Sequence, residues 1–216
     1  MTLQTKQLRK EAQAVVESEG LSWRRLLRSA KQIIVFGSHA VGLESPSSDF
    51  DLLCVGQGSR FKSRKVHLIW IGEDRFKRRS WLGGELATHV SRYGKWIKGR
   101  KPWSRELRPD RKAVARKQKR VNSRVKAMRA EWSRLLPAFQ RKQLSRLRRD
   151  IQRLVYLKRR EPMPPTRLLD AQWADISPES SAWSALLNNV PRLRTHILQL
   201  LAKNVPKHQR RPRGGQ

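Results

Sequence analysis

Two aspartates separated by one residue, Asp49 and Asp51, lead into the apolar run Leu52 to Val55. Ser38, eleven residues before Asp49, closes the sequence Phe36-Gly37-Ser38, which itself ends a first apolar run from Ile33. Side chains at i and i+2 of a strand share a face, so Asp49 and Asp51 aim their carboxylates into one small volume. Two like charges held that close repel unless a cation sits between them. Oxygen ligands suit a hard cation, Mg²⁺ or Mn²⁺, which normally also takes oxygens from phosphates. Gly37 allows the backbone to turn and to approach a ligand closely. Ser38 adds a hydroxyl and a backbone N–H where phosphate oxygens would lie. Taken singly, Asp-x-Asp is also the ordinary polar edge of a half-buried strand, and Gly-Ser an ordinary turn. Together, at this spacing and between two apolar strands, they favour a device that holds a nucleoside triphosphate.

The stretch IIVFGSHAVGLESPSSDFDLLCVG, residues 33–56, resembles the nucleotidyltransferase superfamily related to DNA polymerase beta, and within it the minimal nucleotidyltransferases. Ser47-Ser48-Asp49-Phe50-Asp51-Leu52 is similar to the S-D-[IFL]-D-L core of that family, and the resemblance extends over about residues 20–100. It implies an α+β core, a small mixed β-sheet with flanking helices. It implies that Gly37 and Ser38 serve the triphosphate and that Asp49 and Asp51 hold metal, Mg²⁺ or Mn²⁺, with an NTP as substrate. The activity implied is transfer of a nucleoside monophosphate to a hydroxyl acceptor, with RNA such as a tRNA end as one candidate. Relatives of this kind often act in toxin–antitoxin pairs or phage defence.

One position departs from the family pattern. A third carboxylate usually stands in the middle of a later strand, where it helps hold the catalytic metal and can take the proton of the attacking hydroxyl. The matching strand here is Lys65 to Ile71, and its middle polar residue is His67. A neutral imidazole can accept a proton or bind a metal, though it suits Mg²⁺ less well. Glu73 or Asp74, just past that strand, is the other source of a third acid. If neither serves, the chain is a degenerate nucleotidyltransferase fold that binds nucleic acid or a partner protein without catalysis.

Charge directs the rest. The 216 residues carry 49 Lys+Arg against 17 Asp+Glu, a formal net charge of +32. That excess implies a polyanionic partner. It is concentrated in residues 101–160, with 22 basic and 4 acidic residues. Solvated helices normally mix signs, with Glu four residues before Lys. Here acids are nearly absent, so the region 111–160 reads as basic helices that contact the phosphates of RNA, with an acidic partner protein as the alternative. The single cysteine, Cys54, excludes an internal disulfide and fits the reducing cytoplasm. No apolar run is long enough to span a membrane, and no apolar signal core is visible at the N-terminus.

The elements that must position these residues follow from pattern. Residues 3–18 and Trp23 to Ser29 read as helices; 32–36, 50–55 and 65–71 as strands; and 80–98, with apolar Leu82, Leu86, Val90, Tyr93 and Ile97, as one helix on the sheet. Glu85 and His89 lie four apart on that helix and read as a solvated pair, with a reach into the site as the alternative. Val114, Val121, Val125, Met128, Trp132 and Leu135 form one helical stripe ended by Pro137. Leu144, Leu147, Ile151, Leu154 and Val155 form a second, so the two pack as a hairpin. A last helical stretch runs from Trp183 to Leu201. Trp96 and Trp103, flanked by basic residues, are core anchors or platforms for a stacked base. These readings divide the chain into a nucleotidyltransferase-like domain at 1–100, a basic all-α domain at 101–205 and a disordered basic tail at 206–216.

Overall fold

A computed structural model of the chain describes residues 2–171, 186–188 and 190–202. The tail at 206–216 and the start of the last helical stretch, with Trp183, lie outside the described residues. The chain forms two compact units, Met1–Val114 with Tyr156–Gln172, and Ala115–Val155 with Trp173–Gln216.

The first unit is built on five strands: β1 (Ala30–Phe36), β2 (Phe50–Gly56), β3 (Phe61–Lys62), β4 (Val66–Ile71) and β5 (Lys95–Lys98), in the spatial order β3-β4-β2-β1-β5. β2 pairs antiparallel with β1 and parallel with β4, and β3 and β5 close the edges antiparallel, so the sheet is mixed. The apolar runs that mark β1 and β2 are buried on both faces. On one face, Ile33, Val35, Leu52 and Cys54 pack against Leu8, Ala12 and Val16 of α1 (Leu3–Ser18) and Trp23 and Leu26 of α2 (Trp23–Ser29). On the other, Ile34, Phe36, Leu53, Val55 and Ile71 pack against Phe76 of α3 (Glu73–Lys77) and Val90 of α5 (Glu85–Tyr93). Burial of each such side chain is worth about 1.5–3 kcal/mol, so the central strands are fixed by what covers them on both sides. Both α1 and α2 begin at capping hydroxyls: Thr2 accepts from the Thr5 N–H and Ser22 from the Arg25 N–H.

The expected single helix over 80–98 is not formed. It is divided into α4 (Arg79–Leu82), α5 and the edge strand β5. Gly83 and Gly84 interrupt it, and Gly94 ends it in an extended conformation with φ −67° and ψ 144°. A Cβ on Gly94 would crowd the Val90 carbonyl and the Ile34 side chain, so the chain leaves the helix against β1. Lys95–Lys98 then pairs with β1, opposing Trp96 to Ile34.

The long helices α6 (Arg111–Glu131) and α7 (Pro137–Lys158) supply most of the described residues of the second unit. Pro137 is the first residue of α7, a position where its missing N–H costs nothing. Val121, Val125, Met128, Leu144, Leu147, Ile151 and Leu154 are buried, as the two stripes require. The two helices run antiparallel and are tied by Asp150, which accepts from Lys117 Nζ at 3.3 Å and from Arg124 Nε at 3.0 Å. Arg124 also reaches Gln143. Among the described residues, no helix is long and apolar enough to cross a membrane.

Candidate active site

The site lies where β1 ends and β2 begins. Strand register assembles it. Phe36 opposes Asp51 across β1 and β2, Asp51 opposes His67 across β2 and β4, and His67 opposes Lys62 across β4 and β3. Residues directly opposite project to the same face. One row therefore carries Phe36, Asp51, His67 and Lys62 across four strands. Asp49, two residues before Asp51, joins the row from the connection into β2.

Asp49, Asp51 and His67 each bring one ligand-type atom within 4.8 Å of the others. His67 Nδ1 is 3.0 Å from Asp51 Oδ1, and both side chains are mostly buried. The Asp51 carboxyl is pushed up to about 7, first by burial and then by the charge of Asp49, with Lys62 opposing. Burial and the neighbouring Lys62 and Arg60 charges lower the His67 imidazole, against a smaller opposing effect of Asp49. Two crowded carboxylates, one of them shifted upward by burial and by its neighbour, are what a divalent cation would relieve. The two carboxylates fit one divalent metal.

Gly37 is fitted to this pair. Its φ of +75° lies in the left-handed region, and a Cβ there would overlap the Asp51 carboxylate oxygen Oδ2. Glycine is thus required twice, by backbone conformation and by the carboxylate that the turn approaches. Ser38 follows in right-handed helical conformation and opens a single 3-10 turn, His39–Val41; its carbonyl accepts from the Val41 and Leu43 N–H groups. Its hydroxyl makes no capping bond to that turn.

The sequence-predicted residues Gly37, Ser38, Asp49, Asp51 and His67 are thus brought to one end of the sheet. Glu73 and Asp74 are not. Glu73 pairs with Lys31 at 2.8 Å, beside the opening residues of β1. The register sets Ile71 opposite Val55, four positions along β2 from Asp51, or about 13 Å at the usual strand rise. Neither acid supplies the third ligand. Among the described residues, Glu85 also lies outside the three-residue cluster.

His89 is the residue that sequence reasoning undervalued. It is not solvated but 7% exposed. Its Nε2 accepts the Gly37 N–H at 3.3 Å, and its Nδ1–H donates to the Met163 carbonyl at 2.6 Å. The imidazole stands edge-on to Phe36, with ring centroids 6.0 Å apart. It therefore clamps the Gly-Ser turn to the irregular segment 161–165 that follows α7. The signal at hand was the spacing of Glu85 and His89 alone; the partners of His89 lie 52 and 74 residues away. Trp96 and Trp103 join Phe76 and Trp81 in a half-buried aromatic cluster, with Trp81 and Trp103 centroids 5.8 Å apart.

Residues 19–126 match the family model of the nucleotidyltransferase domain. No curated protein matches the chain.

Proposed function

The chain belongs to the nucleotidyltransferase domain family, and from that premise we propose that it is a metal-dependent enzyme that moves a nucleoside monophosphate from an NTP to a hydroxyl, with RNA as the acceptor. The observation that carries this reading is the convergence of Asp49 and Asp51 on the glycine turn at the end of β1. A divalent metal, Mg²⁺ or Mn²⁺, held by Asp49 and Asp51, would neutralise triphosphate charge and make the α-phosphorus more electrophilic.

The chain's own residues do the positioning. Gly37 lets the backbone come up to Asp51 without a side chain between them, leaving room for phosphate oxygens. Ser38 offers those oxygens its hydroxyl. His89 fixes the turn by accepting the Gly37 N–H. The acceptor hydroxyl gives up its proton to water and attacks the α-phosphorus, the bond to the bridging oxygen breaks, and pyrophosphate leaves. The basic helical region, with its excess of 22 basic over 4 acidic residues in 101–160, binds acceptor phosphates without reading sequence.

A second reading rests on a specific observation: the third ligand position holds His67, not a carboxylate. It makes the chain a catalytically silent nucleotidyltransferase fold that binds nucleic acid or a partner protein. Incubation with each α-³²P-labelled NTP, Mg²⁺ or Mn²⁺ and total cellular RNA separates the two. Label on RNA supports transfer to RNA, and label on protein alone moves the acceptor to protein. No label with any NTP, together with salt-sensitive RNA binding, selects the second reading.

A further inference from the structure

His67 is held at both ring nitrogens. Nδ1 lies 3.0 Å from Asp51 Oδ1, and Nε2 lies 3.2 Å from an Arg60 guanidinium nitrogen. A guanidinium only donates. Nε2 is therefore the acceptor, and the proton of the neutral ring sits on Nδ1, where it donates to Asp51. An Nδ1–H has no lone pair for a metal. Ligation through Nδ1 would require the proton to move to Nε2, where it would meet the Arg60 N–H donor against donor. Ligation through Nε2 would displace Arg60. The positive charge beside this position is also doubled, because Lys62 opposes His67 in the strand register.

Resting on the nucleotidyltransferase reading, we propose that His67 is a strut rather than a metal ligand: it orients Asp51 through Nδ1 and seats Arg60 through Nε2, so the site takes one divalent ion and uses Arg60 in place of a second. Arg60 is exposed, and a guanidinium has five N–H donors. One goes to His67, and the rest are left for a phosphate of the bound nucleotide, the bidentate contact that guanidinium geometry suits. The register position that would hold a third carboxylate instead holds the base of an arginine. Arg60 is thus a direct phosphate contact, and His67 is a positioning residue acting through Arg60 and Asp51.

The test uses the full chain and Mn²⁺, followed by electron paramagnetic resonance, first alone and then with a mixture of non-hydrolysable α,β-methylene NTPs. The strut predicts one Mn²⁺ per chain in both conditions and no electron spin echo modulation from a directly coordinated nitrogen. His67→Ala then keeps Mn²⁺ affinity within about threefold, because Asp49 and Asp51 remain. Arg60→Ala leaves Mn²⁺ binding alone unchanged and weakens the nucleotide by about tenfold, the scale of one lost charge-assisted contact. Arg60→Lys restores charge but not the seat on His67, and recovers only part of that loss. A coordinated-nitrogen signal that disappears in His67→Ala, a second Mn²⁺ in the wild type, or no Mn²⁺ binding at all would overturn the proposal. The Mn²⁺ titration alone decides the role of His67. Mn²⁺ binding without nucleotide binding would instead defeat the transferase reading, so the two failures are separable.

Discussion

The two units of this protein place charge in opposite ways. In the sheet unit the central strands β1 and β2 are apolar on both faces, and Asp49, Asp51 and His67 gather at one end, within 4.8 Å of one another. In the helical unit the charge covers the surface, and the interior is a stripe of Val, Leu, Ile and Met crossed by the buried Asp150 carboxylate between Lys117 and Arg124. The first arrangement suits chemistry, because burial and crowding change the properties of a few groups; Asp51 is the clear instance. The second suits binding, because many solvated cations each add a small, salt-screened attraction. A substitution in the first unit should change a rate, and one in the second an affinity or a stability.

The largest effect that this division predicts is at Gly37. Gly37→Val forces a β-branched residue to φ +75° and sets its side chain into Asp51. Nucleotidyl transfer should fall by about 100-fold or more, as expected for misplaced reacting groups, with RNA affinity nearly unchanged. A variant that keeps its rate would show that the turn does not position the site. Asp150→Ala has the opposite profile. It removes the buried acceptor shared by Lys117 and Arg124 and should cost about 3 kcal/mol in chemical denaturation, with little change in transfer per folded molecule. Loss of transfer without loss of stability would break the comparison.

Smaller effects sharpen it. Replacing exposed Lys119, Arg120 and Lys126 of α6 by Gln should weaken RNA binding by about tenfold and flatten the slope of log affinity against log salt by about 2. Unchanged salt dependence would remove these residues from the binding surface. The pH dependence of metal binding belongs to the first unit alone. The metal-free Asp51 carboxyl is pushed up to about 7, so below that pH a proton must leave before a metal binds. Apparent Mn²⁺ affinity should therefore fall by about tenfold per pH unit below about 7 and level off above it. A flat profile from pH 5.5 to 8 would mean that Asp51 titrates below this range or does not hold the metal.

Much of the candidate site could be read from the sequence, because it is local. The Asp49-x-Asp51 pair, the Gly37-Ser38 turn and the strands that carry them lie within 24 residues, 33–56, and strand alternation alone sets both acids on one face. His67 was found because a strand long enough to pair with β2 has an obvious middle. What escaped was non-local or ambiguous in period. Lys95–Lys98 became a strand because Gly94 ended the helix against β1, although Val90, Tyr93 and Ile97 keep helical spacing. Arg60 sits in an exposed turn, and only the β3–β4 pairing brings it to His67. His89 serves Gly37 and Met163, which no nearby residue announces. Glu73 was in reach by sequence distance, yet β4 carries it to the far end of the sheet, where it meets Lys31.

The most direct test of the central claim, that chemistry resides at the start of β2, compares wild type with Asp49→Ala/Asp51→Ala protein. Both are incubated with Mn²⁺, α-³²P-labelled NTPs and cellular RNA, with folding matched by circular dichroism and RNA affinity measured in parallel. The account predicts label on RNA from the wild type, at least about 1,000-fold less from the double variant, the scale of removing a metal-ion contribution of several kcal/mol, and RNA affinity equal within about twofold. Equal labelling by the two proteins would place the chemistry elsewhere and contradict the account.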